Sequence, residues 1–209
     1  MRALLALATA LLLAACVSLG PDGVVAPHAY LSLDDAATAP APAPARRETP
    51  LVDALRIGAL PADTMAETTS IAYSPRAGEF AFYRLASWTE RPLRRLPRLL
   101  QQRLQARGVA AAVSLDVDAQ RADWALVLRV EALHHDVSAD ASRARLVLDA
   151  ELVDRRERTR VAQRRFTATV ATTQPDARGA ARGLSRATAA AFDELVPWLE
   201  QALADAARR

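Results

Sequence analysis

The stretch "WALVLRVEA", residues 124–132, decides the fold class of this chain. One face of it holds Trp124, Leu126, Leu128, Val130 and Ala132, and the other face carries Arg129 and Glu131, with Asp123 just before. Successive side chains of a β-strand point to opposite sides. The alternation therefore predicts a strand with one buried face and one solvated face.

Two later stretches repeat this pattern. The first has an apolar face of Ala144, Leu146, Leu148, Ala150 and Leu152, opposite Arg143, Arg145, Asp149 and Glu151. The second has Ala162, Phe166, Ala168 and Val170, with Arg164 as an exception. The charged loop 154–158 between them predicts a hairpin. Three one-sided strands in succession predict an antiparallel sheet that is covered on one face.

Shorter strands are predicted before these three. They lie at 30–33, 52–60, 68–73, 80–85 and 109–117. We expect Ser74-Pro75 to stop the third of these strands. Because residues 76–79 are turn-like, the third and fourth strands should form a hairpin.

Two helices complete the predicted fold. Leu93, Leu96, Leu100 and Leu104 recur at helical spacing between Pro92 and Gly108. In the segment 177–207, a second stripe comprises Leu184, Thr188, Ala191, Leu195, Trp198 and Ala202. We expect Pro97 to kink the first helix or mark where its regular part begins, and Pro197 to kink or divide the second. The predicted fold class is α+β, an antiparallel sheet with helices packed on one face.

Composition indicates one folded domain. Of the 209 residues, 51% are hydrophobic and 24% are charged, which is typical of a chain with a sizeable core. All 27 basic residues are arginine, and the net charge is only +3. A net charge this small is not typical of a nucleic-acid-binding protein, so no nucleic-acid partner is predicted.

The N-terminus has the layout of a secretory signal. Arg2 precedes an uncharged apolar run, residues 3–13, and Ala14-Ala15 precede Cys16, the only cysteine. The run is far shorter than the roughly 20 residues that a transmembrane helix needs. Leu13-Ala14-Ala15-Cys16 resembles the lipobox of bacterial lipoproteins, which implies cleavage before Cys16 and its lipidation. A lone cysteine cannot form an internal disulfide, and this segment offers no base for a nucleophilic role.

The lipobox also implies a location. Several acyl chains, palmitate among them, would anchor the mature N-terminus, since each buried methylene contributes about 0.8 kcal/mol. Val17 stands where an aspartate would signal retention in the inner membrane, which favours the periplasmic face of the outer membrane. The predicted division is a signal peptide over 1–15, a tether over 16–27, and a single domain over 28–207 with a Pro/Ala-rich loop at 36–46.

No set of residues predicts catalysis. The sequence contains no GxSxG, HExxH, P-loop or CxxC motif. His134-His135-Asp136 could bind a metal or move protons, but neighbouring strand residues point to opposite faces, so we expect a solvated polar strand end and no metal site. Arg155, Arg156 and Arg158 make a basic hairpin. It is either a solvated loop or a contact for anionic head groups or an acidic partner protein.

Residues 68–104, "TTSIAYSPRAGEFAFYRLASWTERPLRRLPRLLQQRL", resemble the ABC-type transport auxiliary lipoprotein family. In that family a strand of the type S-x-A-Y precedes a turn, an aromatic-rich strand, and a tryptophan shortly before a helix-opening proline. The matching positions here are Ser70, Ala72, Tyr73, Phe80, Phe82, Tyr83, Trp88 and Pro92. Further on, "LVLDAELVD", "QRRFTATV" and "FDELVPWL" resemble the family's last two strands and its C-terminal helix.

The resemblance implies a non-enzymatic accessory lipoprotein of an ABC system that carries lipids between two membranes. Its implied partners are an ABC permease, an ATPase and a periplasmic protein with an MCE domain; no cofactor is implied, and homo-oligomerisation stays open. Two alternatives are a structural envelope lipoprotein and a periplasmic hydrolase that would use His134, His135 or Asp136. Trp88 is a candidate lipid or partner contact, although core packing is the stronger expectation for an aromatic residue before a helix.

Overall fold

The computed structural model describes residues 27–36, 46–62, 64–118, 121–138 and 142–208. These residues form eight strands and two long helices. In chain order they are β1 (Ala29–Leu31), β2 (Val52–Pro61), β3 (Ser70–Arg76), β4 (Glu79–Trp88), α1 (Pro92–Arg107), β5 (Ala110–Leu115), β6 (Trp124–Asp136), β7 (Arg143–Asp154), β8 (Thr159–Ala171) and α2 (Ala177–Ala206). A short 3-10 turn at Met65–Glu67 lies between β2 and β3.

The sheet forks along one side of β6. On the other side β7 pairs antiparallel with β6 over its whole length, and β8 pairs antiparallel with β7. On the forked side, β2 pairs in parallel with the first half of β6, and β3 pairs in parallel with residues 135–136. The β2 branch continues to β5, and the β3 branch continues to β4 and β1.

The α+β class is therefore confirmed, and so are the three long antiparallel strands. Four other pairings are parallel: β1–β4, β2–β5, β2–β6 and β3–β6. The β3–β4 hairpin also forms as predicted, and its turn contains Gly78 at φ 81°. This left-handed conformation favours glycine because it has no Cβ.

A bulge in β6 changes which side chains face the core. The pairing with β7 shifts between Val130 and Ala132, so Ala132 pairs with Val147, and Leu133 pairs with the buried Leu146. The predicted apolar face is therefore wrong at its last member, because Ala132 lies on the outer face. An extra residue in one strand reverses the alternation beyond it.

Both helices cover the same face of the sheet. α1 packs on β2 and β5, and α2 packs on β6, β7 and β8. Their leucines meet those of the sheet in one core, in which the wholly buried members include Leu100, Leu104, Leu126, Leu148, Leu184 and Leu195. Gly108 ends α1 in the left-handed conformation at φ 68°. This layer arrangement confirms helices on one face.

Three prolines lie inside elements that continue through them. β3 continues through Pro75, which lies where the register with β4 is irregular, so its missing N–H removes no regular ladder bond. α1 and α2 run on through Pro97 and Pro197. Of the two alternatives for Pro197, a kink or a division of the second helix, the division is wrong. Apolar side chains are buried on both sides of Pro197, such as Leu195 and Leu199, and this packing holds one continuous helix.

Arg164, the exception in the β8 pattern, has a physical explanation. Its guanidinium lies over the Phe166 ring, 5.2 Å from the centroid, and 3.9 Å from Glu194 of α2. The cation therefore covers apolar surface at the edge of the core instead of entering it.

Candidate functional site

The predicted anchor lies outside the described residues. Cys16, the signal peptide and the tether up to residue 26 are not described, and neither are residues 37–45 of the Pro/Ala-rich loop. None of the described helices is long and apolar enough to cross a bilayer. Pro27 is the first described residue and leads directly into β1.

Trp88 lies in the core. Only 2% of it is exposed, and its backbone N–H donates to the Thr69 carbonyl at 2.7 Å. β1 pairs beside it through Leu31. Core packing, the stronger expectation, therefore describes this residue, and its ring presents no surface to a lipid.

The arginine hairpin between β7 and β8 is exposed and contacts residues 122–123, which precede β6. Arg155 Nη1 donates to the Ala122 carbonyl at 2.8 Å, and Arg156 Nε lies 3.7 Å from Asp123 Oδ2. Arg158 adopts φ 56°, as a turn requires. None of these three side chains lines the cavities described below. Their suggested contact with a partner or lipid stays a prediction.

His135 is buried and hydrogen-bonded to three other side chains, so it is not a solvated strand end. It is 0% exposed, and its Nδ1 lies 2.7 Å from the Tyr83 hydroxyl. Its Nε2 lies 2.5 Å from Ser142 Oγ and 2.9 Å from Thr172 Oγ1, and Thr172 donates to Ser142 at 2.6 Å. The predicted solvated polar end is therefore wrong here, because the bulge in β6 turns this imidazole toward the helix side.

The environment of His135 favours the neutral form of its imidazole. Burial lowers its pKa, the charges of Asp176 and Asp136 oppose that shift, and His134 adds to it. Burial also raises the pKa of Tyr83 to about 12, with a contribution from Asp176. A neutral imidazole between a phenol and two hydroxyls can satisfy all three groups. A hydroxyl beside an imidazole is also found in nucleophilic sites, but here the imidazole itself is wholly buried.

His134 faces the other side of the sheet. It is 8% exposed, and its ring meets the edge of Phe80 at a centroid distance of 5.1 Å. The two histidines thus lie on opposite faces, as the alternation predicts. Within the described ranges, no group of three or more potential metal ligands comes together.

A concave feature lies beside the start of α2, and we call it the arginine groove. Its first part, the arginine cavity, has a volume of about 490 Å³ between residues 31–36 and α2, and is lined by Arg178, Arg182 and Arg186. Its second part, the apolar cavity, has a volume of about 520 Å³ and is lined by Pro27, Ala29, Phe82 and Leu85. The two parts meet at Arg178.

The fold places the three arginines by close packing of α2 on the sheet. At Gly183, an added Cβ would lie 2.7 Å from the Ala144 Cβ, so only a glycine permits this approach. Asp176 caps the helix, its Oδ1 accepting from the Gly179 N–H at 2.7 Å. Residues 178, 182 and 186 then share one face because they are four residues apart.

Large apolar side chains are exposed on the branch next to this groove. Tyr30 is 71% exposed, and Phe80, Phe82 and Leu85 of β4 are each close to half exposed. The sequence prediction missed the groove, although "ARGAARGLSR", residues 177–186, repeats arginine every fourth position. That spacing was a usable signal.

Comparison with known proteins adds the family. The model for the ABC-type transport auxiliary lipoprotein component matches residues 32–196. The chain belongs to this family. The match includes β2 to β8, the whole of α1, α2 as far as Val196, and most residues that line the arginine cavity.

Two solved structures share the fold of this auxiliary lipoprotein. The protein XCC0632 of Xanthomonas campestris, described as a DUF330 protein, is 21% identical, with a TM-score of 0.69 over 88% of this chain and 98% of that one. An uncharacterized protein is 10% identical, with a TM-score of 0.59 over 82% and 99%. A putative lipoprotein of Caulobacter crescentus CB15 is 23% identical over 52% and 80%, with a TM-score of 0.41. No curated protein matches the chain.

Proposed function

We propose that this protein is a lipid-anchored, non-enzymatic subunit of an ABC transport system that couples phospholipid transport between membranes to the outer membrane. The observation that carries the proposal is the family match over residues 32–196, in a chain whose N-terminus reads Leu13-Ala14-Ala15-Cys16. Acylated Cys16 would fix the domain on the periplasmic face, and residues 17–26 would link it to β1.

The arrangement of polar groups supports a binding role over a catalytic one. The hydroxyl–imidazole cluster of Ser142, His135 and Tyr83 is closed to solvent at its centre. The accessible feature is instead a groove with cationic and apolar walls. Such a groove can hold a ligand or a partner without reacting with it.

The partners we propose are an ABC permease, an ATPase and a periplasmic protein with an MCE domain. Support comes from the family, whose description names an ABC-type transport system. The branch of the sheet that ends in β4 and β1, with Tyr30 and Phe80 exposed, offers apolar area of the kind that protein contacts bury.

Crosslinking in cells followed by purification of the full-length protein tests this assignment. We expect the three transport subunits to be recovered with the wild-type chain, and less of them with Cys16→Ala, which leaves the domain unanchored. Mass spectrometry of the wild-type N-terminus should find an acylated Cys16. An anchored protein that recovers no transport subunit would instead be a structural envelope lipoprotein.

A further inference from the structure

We propose that the arginine groove binds a phosphate-bearing amphiphile. The phosphate would lie among Arg178, Arg182 and Arg186, and the apolar part would lie against Phe82 and Leu85. The proposal rests on the proposed function only for the expectation that a phospholipid is the natural source. The chemistry is argued from the uncompensated arginine charges and from the two adjoining cavities.

The charge balance of the arginine cavity is strongly cationic. Arg186 Nη2 donates to the Ala171 carbonyl at 2.7 Å, and Arg182 Nη2 donates to Gln174 Oε1. Both acceptors are neutral. Among the described residues, no carboxylate lies within ion-pair distance of Arg178, Arg182 or Arg186. Three like charges on successive turns repel one another, and a bound anion would remove that cost.

The carboxylate on the opposite wall is already engaged. Asp34 Oδ1 accepts from Arg95 Nη2 at 2.8 Å and from Ser32 Oγ at 3.0 Å. The Asp34 backbone N–H donates to Ser185 Oγ at 3.1 Å, which fixes the wall against α2. Asp34 therefore neutralises Arg95 on α1 and leaves the three arginines of α2 uncompensated.

Arg178 and Arg182 present exposed guanidinium groups to this cavity. Guanidinium groups bind phosphate oxygens through paired N–H donors, so both side chains offer suitable donors to a phosphate.

The apolar cavity accounts for the rest of the ligand. Phe82 is 46% exposed and Leu85 is 53% exposed beside the small side chains of Ala29 and Ala177. Asp176 also lines this part, but its carboxylate caps α2. Each cavity has a volume within the range of small-molecule sites, roughly 300–1,000 Å³. A ligand spanning Arg178 would place a charged group in one cavity and an apolar group in the other.

Titration of the purified full-length protein in neutral detergent, read by native mass spectrometry, tests the site. The probes are dihexanoyl phosphatidic acid, glycerol 3-phosphate and inorganic phosphate. We expect the short-chain lipid to bind at least tenfold more tightly than the other two. Arg178→Gln should weaken all three probes, whereas Phe82→Ser should weaken the lipid alone.

Arg145→Gln is the matched control, because it removes the same charge from an exposed position on the other face of the sheet. Circular dichroism verifies that each variant is folded. Equal losses in Arg178→Gln and Arg145→Gln would mean nonspecific attraction and would overturn the site. If inorganic phosphate bound as tightly as the lipid, the ligand would not be an amphiphile. If the wild-type chain bound none of the probes, both the site and its proposed ligand would be wrong.

The two proposals fail separately. If the lipid binds in the groove but crosslinking recovers no transport subunit, the proposed function is wrong and the site stands. If the subunits are recovered but the lipid does not bind, only the site is wrong.

Discussion

Two rows of arginines in this protein look alike in the sequence and differ in the structure. On α1, Arg103 and Arg107 are four residues apart and are paired with carboxylates: Arg103 with Asp35 and Asp193, and Arg107 with Glu200. On α2, Arg178 and Arg182 have the same spacing but no carboxylate partner among the described residues.

The difference separates a structural role from a binding role. The α1 row joins the two helices and Asp35 of the N-terminal segment, so its charges are used within the protein. The α2 row lines a cavity, so its charges are available to a ligand. Arginine spacing alone cannot distinguish the two roles, because the deciding carboxylates come from distant parts of the chain.

Arg103→Gln should produce the largest loss of stability. Arg103 is 19% exposed, and burial lowers its pKa, but hydrogen bonds and charges from Asp35 and Asp193 outweigh this and raise it. Its removal leaves Asp35, 18% exposed, without a cation. We expect the free energy of unfolding in urea to fall by about 3 kcal/mol.

Arg178→Gln is the comparison for that measurement. It should change the free energy of unfolding by no more than about 0.5 kcal/mol, because an exposed side chain without an ion pair contributes little to folding. Similar losses in both variants would show that the two rows do not differ in role.

His135→Phe should cost somewhat less, about 2 kcal/mol, because it leaves the Tyr83 hydroxyl without its imidazole partner. It should also change the pH dependence of stability. The pKa of His135 is lowered in the folded protein, so below pH 6.5 the unfolded chain binds a proton that the folded chain does not. The wild-type protein should therefore lose stability as the pH falls from about 6.5 toward the folded pKa.

Urea titrations at pH 7.5 and pH 5.5 measure this effect. The loss between the two pH values should shrink in His135→Phe and persist in His28→Gln, which changes an exposed histidine bonded to Ser87. An unchanged loss in His135→Phe would mean that another group is responsible.

Local patterns in the sequence predicted most of the elements of this fold. Period-two alternation located β6, β7 and β8, and leucine spacing located α1. The parallel pairings of β2 with β5 and β6 were not predicted, because strand direction depends on where the chain returns and not on side-chain pattern. The fork of the sheet and the bulge in β6 after Val130 were not predicted either, because both depend on long-range contacts between strands.

The candidate site could be predicted only in part. The position of His135 was misread because a single bulge reverses the alternation, and no nearby glycine or proline marks it. The spacing of the α2 arginines shows that they share one face of the helix. That Asp34 does not pair with them depends on its hydrogen bond with Arg95, which is 61 residues away in sequence. Such a contact has no signature in either segment.

Stabilisation of the folded protein by phosphate tests the α2 row directly. Inorganic phosphate binding among Arg178, Arg182 and Arg186 would stabilise the folded protein by mass action. At equal ionic strength and pH, the wild-type protein should melt about 2–4 °C higher in sodium phosphate than in sodium chloride, which corresponds to roughly 1 kcal/mol for a chain of this length. Arg178→Gln should lose most of that increase, while Arg145→Gln and Arg103→Gln should keep it, since neither residue lines the cavity. An equal increase in all four proteins would show that phosphate acts through the solvent and not through this row.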